Sequence, residues 1–167
     1  MTQRLAHTMA YFCSKQGGKL PSIILAMMIY VADWKSAIER GVTITDIAWK
    51  KTEYGLPYTD DILNTAKTYS HYFSVTESNL DKEYFEISLK AMNYPFQPSP
   101  EEQETFKFVE NLFYEKRTWK ELSDIISSTY PMISKTTSLL NLPELAKEYV
   151  GYVLPHLNNR RVARAVG

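Results

Sequence analysis

The chain has 167 residues, enough for one compact domain with a substantial core. Its 19 basic and 19 acidic residues cancel, which excludes a global field that would collect nucleic acid or an anionic membrane surface. A single cysteine, Cys13, excludes an internal disulfide framework and a thiolate-rich zinc site; with no signal-peptide character in Met1-Thr2-Gln3-Arg4-Leu5, a reduced, cytoplasmic protein is expected.

Leu5, Met9 and Phe12 fall at helical spacing and predict a first helix over Thr2 to Gln16, stopped by Gly17-Gly18. Cys13 lies in this amphipathic pattern and reads as a small core residue. A second helix follows Pro21, from about Ser22 to Glu39, and ends at Gly41. Its run from Ile23 to Ala32 is too short to cross a bilayer and too continuous for a surface helix, which buries only a stripe. It reads as a central, buried helix. Ile44 to Thr52 alternates loosely, as a short strand would, before Gly55 and Pro57 force a turn into a third helix over about Thr59 to Thr68.

From Tyr72 to Leu89 the period changes to two. Phe73 and Val75, then Phe85, Ile87 and Leu89, alternate with polar or amphipathic neighbours across Ser78-Asn79-Leu80-Asp81, which predicts a β-hairpin with one apolar face. After a proline-rich joint, Pro95 to Pro100, Ser99 and Glu102 form a capping box with Pro100 at the first helical position, and this helix should run to about Glu115 or Arg117. Thr118 and Glu121 form a second box, opening a short helix that carries Leu122, Ile125 and Ile126 and that Tyr130-Pro131 is expected to end. A last helix is expected around Pro143 to Leu154, then a flexible basic tail over 158–167. The sum is one mainly α domain spanning 1–167 with a small β-hairpin, an α+β fold.

Within this order, Met28-Ile29-Tyr30, Asp33-Trp34, Gly41, Ile44-Thr45, Trp49 and Tyr54-Gly55 succeed one another as in the SocA-like Panacea domain, and the chain resembles a divergent member of that family of bacterial and phage proteins. Met27 stands where the family's helix motif commonly opens with Lys, Leu56 separates Gly55 from Pro57, and Ser127-Ser128 lacks the histidine often paired with serine there. The resemblance implies a compact, Panacea-like helical fold. It also implies a protein-binding antitoxin that neutralises a toxin encoded nearby, or a phage or bacterial defence or anti-defence regulator on the same scaffold; some members are linked to proteolysis as adaptors.

Little in the residues points to an enzyme. His7, His71 and His156 lie on different elements without the spacing of a metal pair, so neither metal nor cofactor is expected. Gly17-Gly18-Lys19 has the composition of a phosphate loop without its spacing. Asp60-Asp61, adjacent in sequence, would point apart on a helix and read as charges at its N-terminus.

The candidate binding residues are Asp33, Trp34, Tyr54, Tyr58, Tyr69 and Tyr72. A carboxylate closing an apolar helix is costly unless Arg, Lys or backbone donors pair with it, so Asp33 faces solvent, anchors a neighbouring loop or forms a polar notch beside Trp34. Twelve tyrosines and three tryptophans are many for this length; they pack in the core and beneath the surface or supply the rigid, amphipathic anchors of a protein interface. Tyr54, Tyr58, Tyr69 and Tyr72 are the cluster expected to be partly exposed. Arg160, Arg161 and Arg164 could contact phosphates, which would make the protein a nucleic-acid-binding regulator, although the neutral balance argues against it. A protein partner is therefore favoured over nucleic acid, with no membrane role.

Overall fold

A computed structural model describes residues 2–77, 85–114, 117–134 and 138–158. Within them lie α1 (Thr2–Lys15), β1 (Lys19–Pro21), α2 (Ser22–Arg40), β2 (Trp49–Lys51), β3 (Pro57–Tyr58), α3 (Asp61–Thr68), β4 (Phe73–Glu77) and β5 (Phe85–Leu89). After these come α4 (Pro100–Tyr114), α5 (Trp119–Ser127), α6 (Tyr130–Ile133), β6 (Leu139–Leu140) and α7 (Leu142–Glu148), which continues into a π-helical turn, Tyr149–Val153. The architecture is α+β, with seven α-helices and two three-stranded antiparallel sheets among the described residues.

Helix α2 is the axis of the fold. Every residue from Met27 to Trp34 is buried, so the helix is enclosed on all sides, as its continuous apolar run requires. It packs against α1, α4, α7 and both sheets. The chain leaves it through Gly41, whose φ of 75° is a left-handed conformation that costs a residue with a Cβ, and whose N–H closes the helix on the Ala37 carbonyl at 3.0 Å. Fully buried Leu5, Met9 and Phe12 of α1, Ile87 of β5, and Phe106 and Val109 of α4 share one core with it.

The predicted hairpin forms as β4 and β5, pairing Phe73 with Leu89 and Val75 with Ile87. Its connecting residues, 78–84, lie outside the described residues. A third strand joins it: β1 pairs Leu20 with Ile87, completing the order β1-β5-β4. The alternation predicted for the hairpin places Leu20, Ile87, Val75 and Phe73 toward the core and Lys19, Ser74, Thr76 and Glu86 on the other face, where Lys19 lies 3.8 Å from Glu86.

A second sheet, β3-β2-β6, was not expected. The strand anticipated within Ile44 to Thr52 is confined to Trp49–Lys51 and pairs with Pro57–Tyr58 on one side and Leu139–Leu140 on the other. Lys51 ties this sheet to α6, donating from Nζ to the carbonyls of Pro131, Met132 and Ser134 at 3.3, 3.1 and 2.8 Å.

Both capping boxes form. Glu102 N–H donates to Ser99 Oγ at 3.2 Å and Ser99 N–H to Glu102 Oε2 at 2.9 Å; Thr118 and Glu121 repeat the pattern at 3.2 and 2.9 Å. Helix α4 is described to Tyr114, short of the anticipated end. Tyr130-Pro131 corrects the reading as a stop: it opens α6 instead, because proline's missing N–H is redundant in a first helical turn.

Candidate functional site

Asp33 is wholly buried, and its environment explains how the core tolerates a carboxylate. Oδ1 accepts the backbone N–H groups of Ile44 and Thr45 at 2.9 and 3.0 Å, while Oδ2 accepts the Thr45 hydroxyl at 2.5 Å and the Trp49 indole N–H at 2.9 Å. Four donors thus converge from the segment after α2 and the first residue of β2, none of them a cationic side chain. Burial pushes the carboxyl above its ordinary value, opposed by these hydrogen bonds. Of the alternatives open from sequence, the geometry is that of an anchor holding the 41–49 loop to α2, with no carboxylate oxygen turned to solvent.

Trp49, also fully buried, stands edge-on to Tyr30 at 5.6 Å between ring centres, and the Tyr30 hydroxyl lies 2.8 Å from Thr129 Oγ1. Asp33 therefore sets the start of β2 indirectly, through Trp49. β2 in turn carries the turn that displays Tyr54. Thr52 N–H bonds to the Leu56 carbonyl at 2.9 Å and Gly55 N–H to the Thr52 carbonyl at 3.0 Å, with Gly55 at φ 73°. The turn lifts Tyr54 into solvent at 81% exposure.

Beneath Tyr54 runs a groove of about 470 Å³. Ile23, Ala26 and Met27 of α2 and Ile62 and Leu63 of α3 give it an apolar floor, and its rim carries Tyr54, Tyr58 and Trp119. Tyr58 and Trp119 are each 45% exposed. The Tyr58 hydroxyl donates to Asp60 Oδ1, which orients its ring and raises the hydroxyl's pKa, and Lys50 Nζ stands 3.8 Å from Asp60 Oδ2. Apart from Asp60, the groove's lining carries no charged side chain.

The structure divides the six candidate residues. Tyr54 and Tyr58 share the groove rim. Tyr69 and Tyr72 are partly buried and pack on the core elsewhere, in a succession of rings in which Tyr72 lies 4.1 Å from His71 and 4.6 Å from Tyr94, with His7 stacked on Phe96 at 4.5 Å. Trp34 is buried and meets Tyr149 edge-on at 5.7 Å, beside a second apolar groove of about 440 Å³ between α2, α4, α5 and the π-helical turn. Arg160, Arg161 and Arg164 lie outside the described residues. Trp119 was missed as a candidate because it reads as the first residue after a helix cap; only the fold brings it to the groove that Tyr54 borders.

Cys13 is fully buried, and burial pushes its thiol up to about 12, as suits a packing residue. Among the described residues no three His, Cys, Asp or Glu side chains are grouped as metal ligands, and no helix is long and apolar enough to cross a membrane. Comparison with protein-family models, curated proteins and solved structures finds no match.

Proposed function

We propose that this chain is a protein-binding module whose docking surface is the groove rimmed by Tyr54, Tyr58 and Trp119. In keeping with its resemblance to the SocA-like Panacea domain, it acts as a cytoplasmic antitoxin that neutralises a toxin encoded nearby by direct contact. It works without cofactor or metal and catalyses no reaction. The observation that carries the binding reading is three exposed aromatic side chains around an apolar floor. Such rings offer large rigid contact area with few rotatable bonds and recur as the anchors of protein interfaces.

Co-expression with the product of the adjacent gene tests this reading. A growth-inhibiting product whose toxicity the wild-type chain suppresses, and which the folded double variant Tyr54→Ala/Trp119→Ala no longer suppresses, supports it. Full suppression by the double variant, or an adjacent product without toxicity, overturns it.

A further inference from the structure

The apolar floor of the groove rimmed by Tyr54, Tyr58 and Trp119 says little about which segment enters it; its one charged lining residue, Asp60, says more. Asp60 stands immediately before α3, where an aspartate side chain commonly accepts a backbone N–H of the first helical turn. Asp60 makes no such bond. Thr59 Oγ1 accepts from the Asp61 N–H at 3.2 Å instead, and Asp61 supplies the acid that suits the positive end of a helix. The Asp60 carboxylate therefore serves neither structural task that its position in the sequence suggests.

It is held at the groove rim. The Tyr58 hydroxyl donates to Oδ1, and both residues line the groove. Oδ2 accepts no hydrogen bond among the described residues. Lys50 Nζ stands 3.8 Å from it, longer than a hydrogen bond, and both side chains of that pair are more than half exposed, Lys50 at 51% and Asp60 at 59%. Exposed pairs of this kind are worth about 0–1 kcal/mol, so Lys50 is a loose cover that a better-placed cation displaces.

An open carboxylate oxygen at the edge of an otherwise uncharged groove selects the sign of what docks there. An acidic side chain is repelled. A wholly apolar segment would cover the oxygen and leave it unpaired, whereas a cation with donors satisfies it. The rim adds to the same preference, because the faces of tyrosine and tryptophan rings attract cations. Between the two basic side chains, arginine is the more weakly hydrated, and its planar guanidinium stacks on rings while it donates to a carboxylate. We propose that the groove takes an apolar segment of the partner that carries an arginine, whose guanidinium donates to Asp60 Oδ2, so that Asp60 sets the specificity of docking; this rests on the groove being a protein-docking surface.

Random peptides displayed on phage and selected against the purified full chain serve as the probe. Peptides that bind the wild type and not the folded Tyr54→Ala/Trp119→Ala variant are the groove-dependent set. Arginine beside apolar residues should be enriched in that set, and selection against Asp60→Lys should enrich aspartate or glutamate in its place. For one synthetic groove-dependent peptide, Asp60→Asn should weaken Kd by about tenfold, and by far less once the peptide's arginine is replaced by glutamine. Lys50→Gln, which removes the competing cation from outside the groove, should tighten it. Unchanged melting transitions check that each variant is folded. Groove-dependent peptides without arginine enrichment, or a Kd indifferent to Asp60→Asn, would overturn the proposal while the docking surface stands; a selection that yields no groove-dependent peptide would overturn both.

Discussion

Replacing Asp33 with alanine should cost more stability than any other polar substitution in the core. The carboxylate receives four hydrogen bonds, at 2.9, 3.0, 2.5 and 2.9 Å, and all four donors are buried around it. Hydrogen bonds to a charged group contribute about 1.5–3 kcal/mol each, and a buried donor left without its acceptor costs about 1–3 kcal/mol. The four share one acceptor group and do not add, and the Thr45 hydroxyl can turn elsewhere. A loss of about 4 kcal/mol follows, a large part of the roughly 5–15 kcal/mol by which domains are stable. Urea denaturation reads it directly: with a slope of about 2 kcal/mol per molar, the midpoint should fall by about 2 M. Asp33→Asn keeps an oxygen for the two backbone donors but sets an amide N–H against the Trp49 indole N–H, so its cost should be intermediate, about 1–2 kcal/mol. A midpoint for Asp33→Ala within about 0.3 M of wild type would refute the claim that this carboxylate anchors the loop.

Because burial raises the folded-state value of Asp33 above the unfolded one, the folded chain holds that proton to higher pH, and the stability linked to it is greatest below the ordinary carboxylate range and declines as pH rises. The stability difference between wild type and Asp33→Asn should therefore shrink from about pH 4 upward; a difference that grows with pH would show that the four donors outweigh burial. Met28→Asp puts an unpaired charge at a fully buried position of α2 and should unfold the chain, seen as loss of the cooperative thermal transition. Gly41→Ala should cost about 1 kcal/mol in the same melts, from the left-handed backbone alone, since nothing lies within 4 Å of the added methyl. Lys51→Met removes the donor shared by the Pro131, Met132 and Ser134 carbonyls and should lower stability by about 1–3 kcal/mol in urea; an unchanged midpoint would make that contact incidental.

What could be read from sequence was what short-range chemistry encodes. The apolar run of α2, its glycine exit and the two capping boxes are local, and a hairpin announces itself by alternation within each strand. Strands β1, β3 and β6, of three, two and two residues, are too short to show a period; β1 and β6 pair with strands far along the chain, and Pro57 made β3 read as a turn, so one strand of the first sheet and two of the second were invisible. Pro131 misled because a proline that ends one helix and a proline that begins the next look alike in sequence. The cost of Asp33 was legible; its partners were not, being 11 to 16 residues away and two of them backbone groups that any residue carries. Exposure was the least legible property of all. Four tyrosines of similar sequence context divide into two at a groove rim and two packed on the core, and the tryptophan that joins the first pair comes from α5.

The central claim, that the Tyr54, Tyr58 and Trp119 rim is a protein-docking surface, is tested most directly by titrating the purified partner against wild type and Tyr54→Ala. Tyr54 is so exposed that its removal should leave the fold intact, with an unchanged melting transition as the check. The account predicts a loss of about 2 kcal/mol, a roughly 30-fold weaker Kd, and an affinity that changes little with added salt. An unchanged Kd for Tyr54→Ala, or binding that collapses as salt rises and follows nucleic acid instead of protein, would contradict it.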